Sequence, residues 1–206
     1  MSEDVTVSSS VSAEGQPEAR EEKSEKWRSL FVVVALAAGF ALVPRVTRGC
    51  EGGMTSSEIA PDFHAKIVAN VAGVGPLANG ANADSGTLDL SALKGRPVIL
   101  DFWATWCGPC QAEAPVLNTL AQRYKDRGLA VVGVNTSDED GLAAIFARKK
   151  NLSFPMVFDQ GNTIARAYSV TSLPTLVVIS KEGRVVALRQ GVTSEEALED
   201  IVKRYL

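Results

Sequence analysis

Apolar side chains along this chain fall into three regimes. Residues 1–28 are rich in Ser, Glu and Lys and hold almost no large apolar side chain, a composition expected to stay disordered. An unbroken apolar run, LFVVVALAAGFALV, then covers residues 30–43. From Pro61 onward apolar and polar positions interleave as in a globular domain. Residues 63–69 read as a strand, and the Gly-, Asn- and Ala-rich stretch 70–86 reads as a long loop. PVILDFW at 97–103 and LAVVGVN at 129–135 are continuous apolar β runs of the kind buried on both faces of a sheet. Between them Leu117, Leu120, Ala121 and Tyr124 share one face of a helix, and Gly128 stands where a C-cap glycine belongs. Ser137 to Lys150 reads as a second helix, with Leu142, Ile145 and Phe146 turned inward. A short strand at 155–158 and a short helix at 161–168 follow. LPTLVVIS at 173–180 and RVVALRQ at 184–190, joined by Lys181-Glu182-Gly183, read as an antiparallel hairpin. Thr193-Ser194-Glu195-Glu196 forms a capping box for a last helix, whose apolar face is Ala197, Leu198, Ile201, Val202 and Tyr205.

From Pro97 the order is β–α–β–α–β–α–β–β–α. The alternation implies parallel strands with helical crossovers, and the hairpin adds antiparallel ones. The expected fold is α/β: a mixed central sheet with helices on both faces.

The run at 30–43 is short for a membrane span. Fourteen residues cover roughly 21 Å, against about 30 Å of hydrocarbon. Trp27, Ser29 and Pro44 lengthen it, and flanking arginines can snorkel. A cleaved signal peptide has this length of apolar run, but its basic leader is usually short, and no Ala-x-Ala site follows. A buried core helix would lie outside the globular region. An uncleaved signal anchor fits best. The expected organisation is therefore a disordered cytoplasmic tail at 1–28, an anchor at 29–45, a linker at 46–59 and one domain at 60–206. Arg20, Lys23, Lys26 and Arg28 precede the run and only Arg45 and Arg48 follow closely, which places the amino terminus in the cytoplasm and the domain on the other, periplasmic or extracytoplasmic, side. Cys50 follows a glycine as in lipoprotein processing sites, but Arg48 fits such a site poorly, so it reads as a linker cysteine.

Charge and composition narrow the chemistry. Net charge is −3, and the acidic excess sits in residues 1–29, which hold seven acids and four bases. Nothing resembles a basic nucleic-acid footprint. One histidine and three cysteines are too few for a histidine-rich metal site or a disulfide framework.

The chemistry concentrates at Trp106-Cys107-Gly108-Pro109-Cys110, the junction of the 97–103 strand and the helix after it. A helix's first turn has unpaired N–H groups and the positive end of the macrodipole, so a thiolate at Cys107 is stabilised there. Cysteines so placed have pKa values of about 3.5–7.5, against about 8.5 for a free thiol. Residues i and i+3 on a helix bring their Cβ atoms within about 5–6 Å, near enough for a disulfide. Cys107 can attack a substrate disulfide and Cys110, one turn in, can resolve the mixed disulfide. Pro109 suits the first turn, where an N–H would be unpaired anyway. Half of a zinc site is a weaker reading, because His64 and Cys50 are the only other candidate ligands and both lie far away in sequence. A structural disulfide is weaker too, since it would staple only one helical turn.

At these residues a family resemblance becomes plain. Asp101-Phe102-Trp103-Ala104-Thr105-Trp106-Cys107-Gly108-Pro109-Cys110 closely resembles the thioredoxin active-site stretch. Ala60-Pro61-Asp62-Phe63 resembles the opening of the redoxin branch. With Glu113 and Pro115, the pattern W-C-x-P-C-x-x-E-x-P is similar to that of the TlpA/ResA-like membrane-anchored thiol–disulfide oxidoreductases. Thr171-Ser172-Leu173-Pro174-Thr175 matches the family's cis-proline loop. The resemblance covers about Ala60 to Leu206. It implies a thioredoxin-like fold, Cys107 as nucleophile and Cys110 as resolving thiol. It also implies Pro174 in cis against the disulfide, and the Leu173 backbone pairing with extended substrate beside Trp106, Gly108 and Pro109. Asp101 matches a buried acid that deprotonates the second cysteine; as a carboxylate on a buried strand it should have a raised pKa. Glu113 matches a glutamate that tunes the thiols. The implied partners are protein disulfides and an upstream, membrane-embedded dithiol donor. No metal and no cofactor beyond the Cys107–Cys110 disulfide are implied. The sequence departs from many thioredoxins in offering no lysine in LAVVGVN to partner Asp101, which leaves the proton route open.

The expected activity is reduction of disulfides in exported proteins, with apocytochrome c as one substrate class; Gly-Pro between the cysteines resembles reducing members. Two other functions share the fold. A peroxiredoxin-type peroxidase needs Thr-x-x-x-Cys, whereas Thr105 stands two residues before Cys107. A copper-delivery protein needs C-x-x-x-C and a later histidine, and no histidine follows Cys110.

Overall fold

A computed structural model of the chain describes residues 58–74 and 86–206. The expected tail, the anchor at 29–45, Cys50 and the middle of the 70–86 loop lie outside the described residues. Among those described, no helix is long and apolar enough to cross a membrane.

Among the described residues, seven strands form one mixed sheet. They are β1 (His64–Ala69), β2 (Thr87–Asp89), β3 (Val98–Trp103), β4 (Ala130–Asn135), β5 (Met156–Phe158), β6 (Thr175–Ile179) and β7 (Val185–Gln190), in the spatial order β2-β1-β5-β4-β3-β6-β7. β3, β4 and β5 run parallel; β6 joins β3 antiparallel, and the hairpin brings β7 onto β6. Four helices connect or flank them: α1 (Gly108–Arg123), α2 (Leu142–Lys149), α3 (Thr163–Ala167) and α4 (Glu195–Tyr205).

Connection handedness sets the face that α1 and α2 cover. The path β3–α1–β4–α2–β5 steps in one direction across the sheet, so right-handed crossovers put α1 and α2 on the same face. The connection from β5 to β6 steps back across β4 and β3 to an antiparallel strand, and the packing of α3 places it on the opposite face. The two apolar clusters agree: residues of α1, α2 and α4 pack with Ile99 and Trp103, whereas Ile164 and Ala165 of α3 pack with Val98, Leu100 and Phe102. Successive strand side chains alternate faces, so Asp101 joins Ile99 and Trp103 on the α1 face. All six residues of β3 and all six of β4 are buried, as their unbroken apolar runs require. Opposite Asp101 in the β3–β4 register stands Gly133. A Cβ there would lie 3.0 Å from Trp103 Nε1 and 3.2 Å from both Met156 Cγ and Phe154 Cε2, so any side chain at this position would press on the Trp103 indole and its neighbours.

Several expectations need correction. The stretch 70–86 is not all loop, since Val71–Val74 is a 3-10 turn, and directly after it Thr87–Asp89 forms an unexpected strand, β2, paired with β1. Pairing also reaches into the segment read as linker, where the Glu58 carbonyl accepts from Val185 N–H and Ile59 bridges Arg184. The helix expected from Ser137 starts only at Leu142. Ser137 (φ 56°) and Gly141 (φ 92°) adopt left-handed conformations that a right-handed helix cannot contain. Its inward face is Ala143, Phe146 and Ala147, whereas Leu142 and Ile145 point to solvent, 37% and 55% exposed. The last helix is capped by Ser194, whose Oγ accepts from Ala197 N–H, one residue later than the Thr193 box. Ala197 is consequently exposed, while Leu198, Ile201 and Val202 are buried. Gly128, at φ 92°, closes the 3-10 turn Lys125–Arg127 that follows α1, not α1 itself.

Candidate active site

The parallel strands β3 and β4 end at the same edge of the sheet, where an open α/β sheet places its ligand sites. Thr105 and Trp106 make the turn out of β3, and α1 begins at Gly108. Cys107 is its N-cap, with an extended backbone (φ −81°, ψ 101°). The Cys110 N–H donates to Cys107 Sγ at 3.2 Å. That is the bond an N-cap serine or aspartate oxygen accepts from the third helical residue. Gly108 and Pro109 fill the first two helical positions, and Pro109 has no N–H to satisfy.

Cys107 and Cys110 are joined by a disulfide, with Cα atoms 5.3 Å apart. In this oxidised form the disulfide sulfur of Cys107 stands in for the thiolate of the reduced enzyme, facing the Cys110 N–H at the amino end of α1. Both residues are largely enclosed, Cys107 at 5% and Cys110 at 2% exposure, with Cys107 at the helix tip and Cys110 within its first turn. Pro115, further along α1, lacks the N–H that would have bonded the Gln111 carbonyl.

Asp101 and Glu113 lie under this turn. Asp101 is 3% exposed, and its Oδ1 has no hydrogen-bond partner among the described residues. Burial, and secondarily the Glu113 charge, push its carboxyl well above the usual range. Glu113 is 1% exposed, which excludes a solvated helix glutamate. Its Oε1 accepts from Thr193 N–H at 2.7 Å, and its Oε2 is unpartnered. Burial raises the Glu113 pKa, and the Thr193 bond opposes the rise. The site therefore holds two carboxyls in low dielectric, each favouring its protonated form. No lysine of β4 meets Asp101, because Gly133 stands opposite it.

The loop before β6 completes the site. The Leu173–Pro174 bond is cis, and the Pro174 carbonyl accepts from Gly191 N–H at 2.8 Å. A cavity of about 420 Å³ lies between Trp106 and Leu173. It joins the residue before Cys107 to the residue before Pro174. Trp106 is 65% exposed, yet its Nε1 donates to the Ser137 carbonyl at 2.8 Å. A second cavity, of about 460 Å³, sits at the other ends of β3 and β6, beside Val98 and Ile179, and holds none of the site residues. The exposed His64 side chain of β1 pairs with Asp89, far from this chemistry in the fold.

Sequence reading missed the residues that hold the cysteine turn. Asp138 accepts from Thr105 N–H at 2.6 Å, from Thr105 Oγ1 at 3.0 Å and from Asn135 Nδ2 at 3.0 Å, and these bonds keep its pKa low despite partial burial. Asn162 Oδ1 accepts from Thr136 Oγ1 and Ser137 N–H, fixing the turn that holds Trp106. Gln111 Nε2 closes the set on the Thr105 carbonyl. The only signal was position: Thr136-Ser137-Asp138 follows a parallel strand at its carboxyl end.

Comparison with known proteins agrees with this geometry. The family model described as Redoxin matches residues 55–205. The thiol-disulfide oxidoreductase ResA of Bacillus subtilis is 30% identical over 182 residues, 85% of this chain and 93% of that protein. ResA of Bacillus thuringiensis is 35% identical over 117 residues, 57% of this chain and 68% of that protein. Among solved structures, a Chlorobium tepidum protein described as a thiol:disulfide interchange protein DsbE superposes with a TM-score of 0.64 at 30% identity, over 74% of this chain and 99% of that one.

Proposed function

The chain belongs to the Redoxin family and is a thiol–disulfide oxidoreductase, and from that premise we propose that it reduces disulfides of exported proteins with Cys107 as the attacking sulfur. The observation that carries the assignment of Cys107 is the Cys110 N–H directed at its sulfur from the first turn of α1.

In the reduced enzyme the Cys107 thiolate attacks one sulfur of a substrate disulfide. A mixed disulfide forms and the other substrate sulfur leaves as a thiolate. The Cys110 thiol gives its proton to Asp101, and the resulting thiolate attacks Cys107 Sγ. The second substrate sulfur leaves, and the Cys107–Cys110 disulfide remains. Two electrons have passed from the enzyme dithiol to the substrate. Glu113 adjusts the proton affinity of Asp101 through its charge. The Leu173 backbone and Pro174 hold extended substrate across Trp106, Gly108 and Pro109. The pair of cysteines is the whole redox apparatus, with no metal or other cofactor.

A membrane-embedded dithiol donor regenerates the reduced form. The anchor at 29–45 keeps the domain near that donor, and the basic residues ahead of it favour an extracytoplasmic domain. Gly108-Pro109 between the cysteines favours reduction over oxidation by analogy with reducing relatives. Apocytochrome c, during c-type cytochrome maturation, is the substrate to test first.

Cys110→Ser tests the scheme. It leaves the attacking thiolate and removes the resolving one, so mixed disulfides through Cys107 should accumulate and be captured from the native membrane. Non-reducing gels read them out. No captured species, with Cys107 still alkylatable, would remove Cys110 from the resolving role.

A further inference from the structure

The cavity beside the disulfide carries a charge that nothing in it balances. Trp106 forms one wall, Val170 and Leu173 another, and Arg166 lines it from the last turn of α3. Its other polar lining is neutral hydroxyl and amide, and neither Asp nor Glu borders it. Much of that neutral lining is already committed: the Asn162 carbonyl oxygen accepts from Thr136 and Ser137, and Ser137 O accepts from Trp106.

Arg166 is not committed to the same degree. Its guanidinium has five N–H donors. One group, Nη1, donates to Gly161 O at 2.6 Å, and Arg166 enters none of the ion pairs formed among the described residues. The nearest acid along the chain, Asp159, is buried and accepts from the Ile164 and Ala165 N–H groups. Arg166, itself exposed, thus offers spare guanidinium donors to the lining of a groove that starts one residue from Cys107.

We propose that this groove is a substrate subsite for a carboxylate side chain, an Asp or Glu close to the cysteine under attack, with Arg166 as the residue that selects it. The planar guanidinium suits a carboxylate through paired N–H···O bonds, with Trp106 and Leu173 flanking the side chain that carries it. A basic substrate side chain meets like charge there. This rests on Cys107 being the sulfur that engages substrate, because the groove borders that residue's neighbour.

The test is a competition. Reduced full-length protein in detergent micelles receives an equimolar mixture of three C-terminally amidated disulfide peptides. They differ only in Glu, Gln or Lys beside the cysteine, and mass spectrometry follows each. The expected order is Glu, then Gln, then Lys, with Glu favoured over Gln by about three- to tenfold in kcat/KM at low salt and by less at high salt. Arg166→Gln should bring the Glu-to-Gln ratio to unity, and Arg166→Glu should reverse the order of Glu and Lys. The ratios are internal to each tube, so they hold whatever the variants do to overall rate. Equal rates for the three peptides with wild type, or a Glu preference that survives both substitutions, overturns the subsite and leaves the redox role of Cys107 standing. Failure of wild type to reduce any of the peptides overturns both.

Discussion

Replacing Cys107 by serine is expected to lower reduction of insulin disulfides by roughly 10³-fold or more, to the uncatalysed background. A hydroxyl at this N-cap still accepts the Cys110 N–H, and serine is among the best caps, so the helix start survives the change. The chemistry does not. A serine oxygen is not a thiolate at neutral pH and cannot exchange with a disulfide. Cys110 cannot substitute for it, because it lies deeper, at 2% exposure, and within α1. Circular dichroism of the variant should match that of reduced wild type. Activity within a few-fold of wild type would remove Cys107 from the attacking role.

Asp101→Asn is expected to slow turnover and to stabilise the protein together. A carboxyl on a buried strand with an unpartnered oxygen is costly when ionised. Its folded pKa lies well above its unfolded value near 3.9. Between the two values the folded state binds more protons than the unfolded state, so stability falls as pH rises through that window. Below about pH 4 both states are protonated, and this penalty is absent. Asparagine never ionises. The variant should therefore gain about 1–4 kcal/mol over wild type at pH 8 and little at pH 4, readable by urea unfolding of the reduced forms. Turnover should drop roughly 10²-fold, the scale of a lost general base. The pH–rate profile should lose the limb set by Asp101. Equal stability of variant and wild type at both pH values would show that the carboxyl ionises in the fold as readily as in the unfolded chain, with no burial penalty. An unchanged pH–rate profile would remove its proton role. Retaining so costly a group between Ile99 and Trp103 makes physical sense only if the group is used.

Much of this was legible beforehand because one physical rule acted at a time. The unbroken apolar runs could only be central strands, and they became β3 and β4. The cysteine spacing, Pro109 and the strand ahead placed Cys107 at a helix tip. Asp101, a carboxyl on a strand buried in the sheet, was expected to have a raised pKa, and burial raises it; the burial of Glu113 was not foreseen. Legibility ended where two rules competed. Leu142, Ile145 and Phe146 fit a helical face, but Asp138 bonds back to Thr105 and Asn135, and Ser137 and Gly141 turn left-handed, so the helix starts late and shows another face. Thr193 fits a capping box, but its N–H donates to Glu113, a tie across 80 residues that no local pattern contains. β2 is only three residues long, and its apolar pattern is too short to register. The clasp of Asp138 and Asn162 around the cysteine turn depends on long-range contacts between ordinary polar residues.

The most direct measurement is the rate at which reduced Cys107 reacts with iodoacetamide as pH is varied, followed by mass spectrometry of the Cys107 peptide. A sulfur facing the Cys110 N–H at a helix amino terminus should be half ionised at or below about pH 7.5. Half-reaction near pH 8.5, the value of an ordinary thiol, would contradict it.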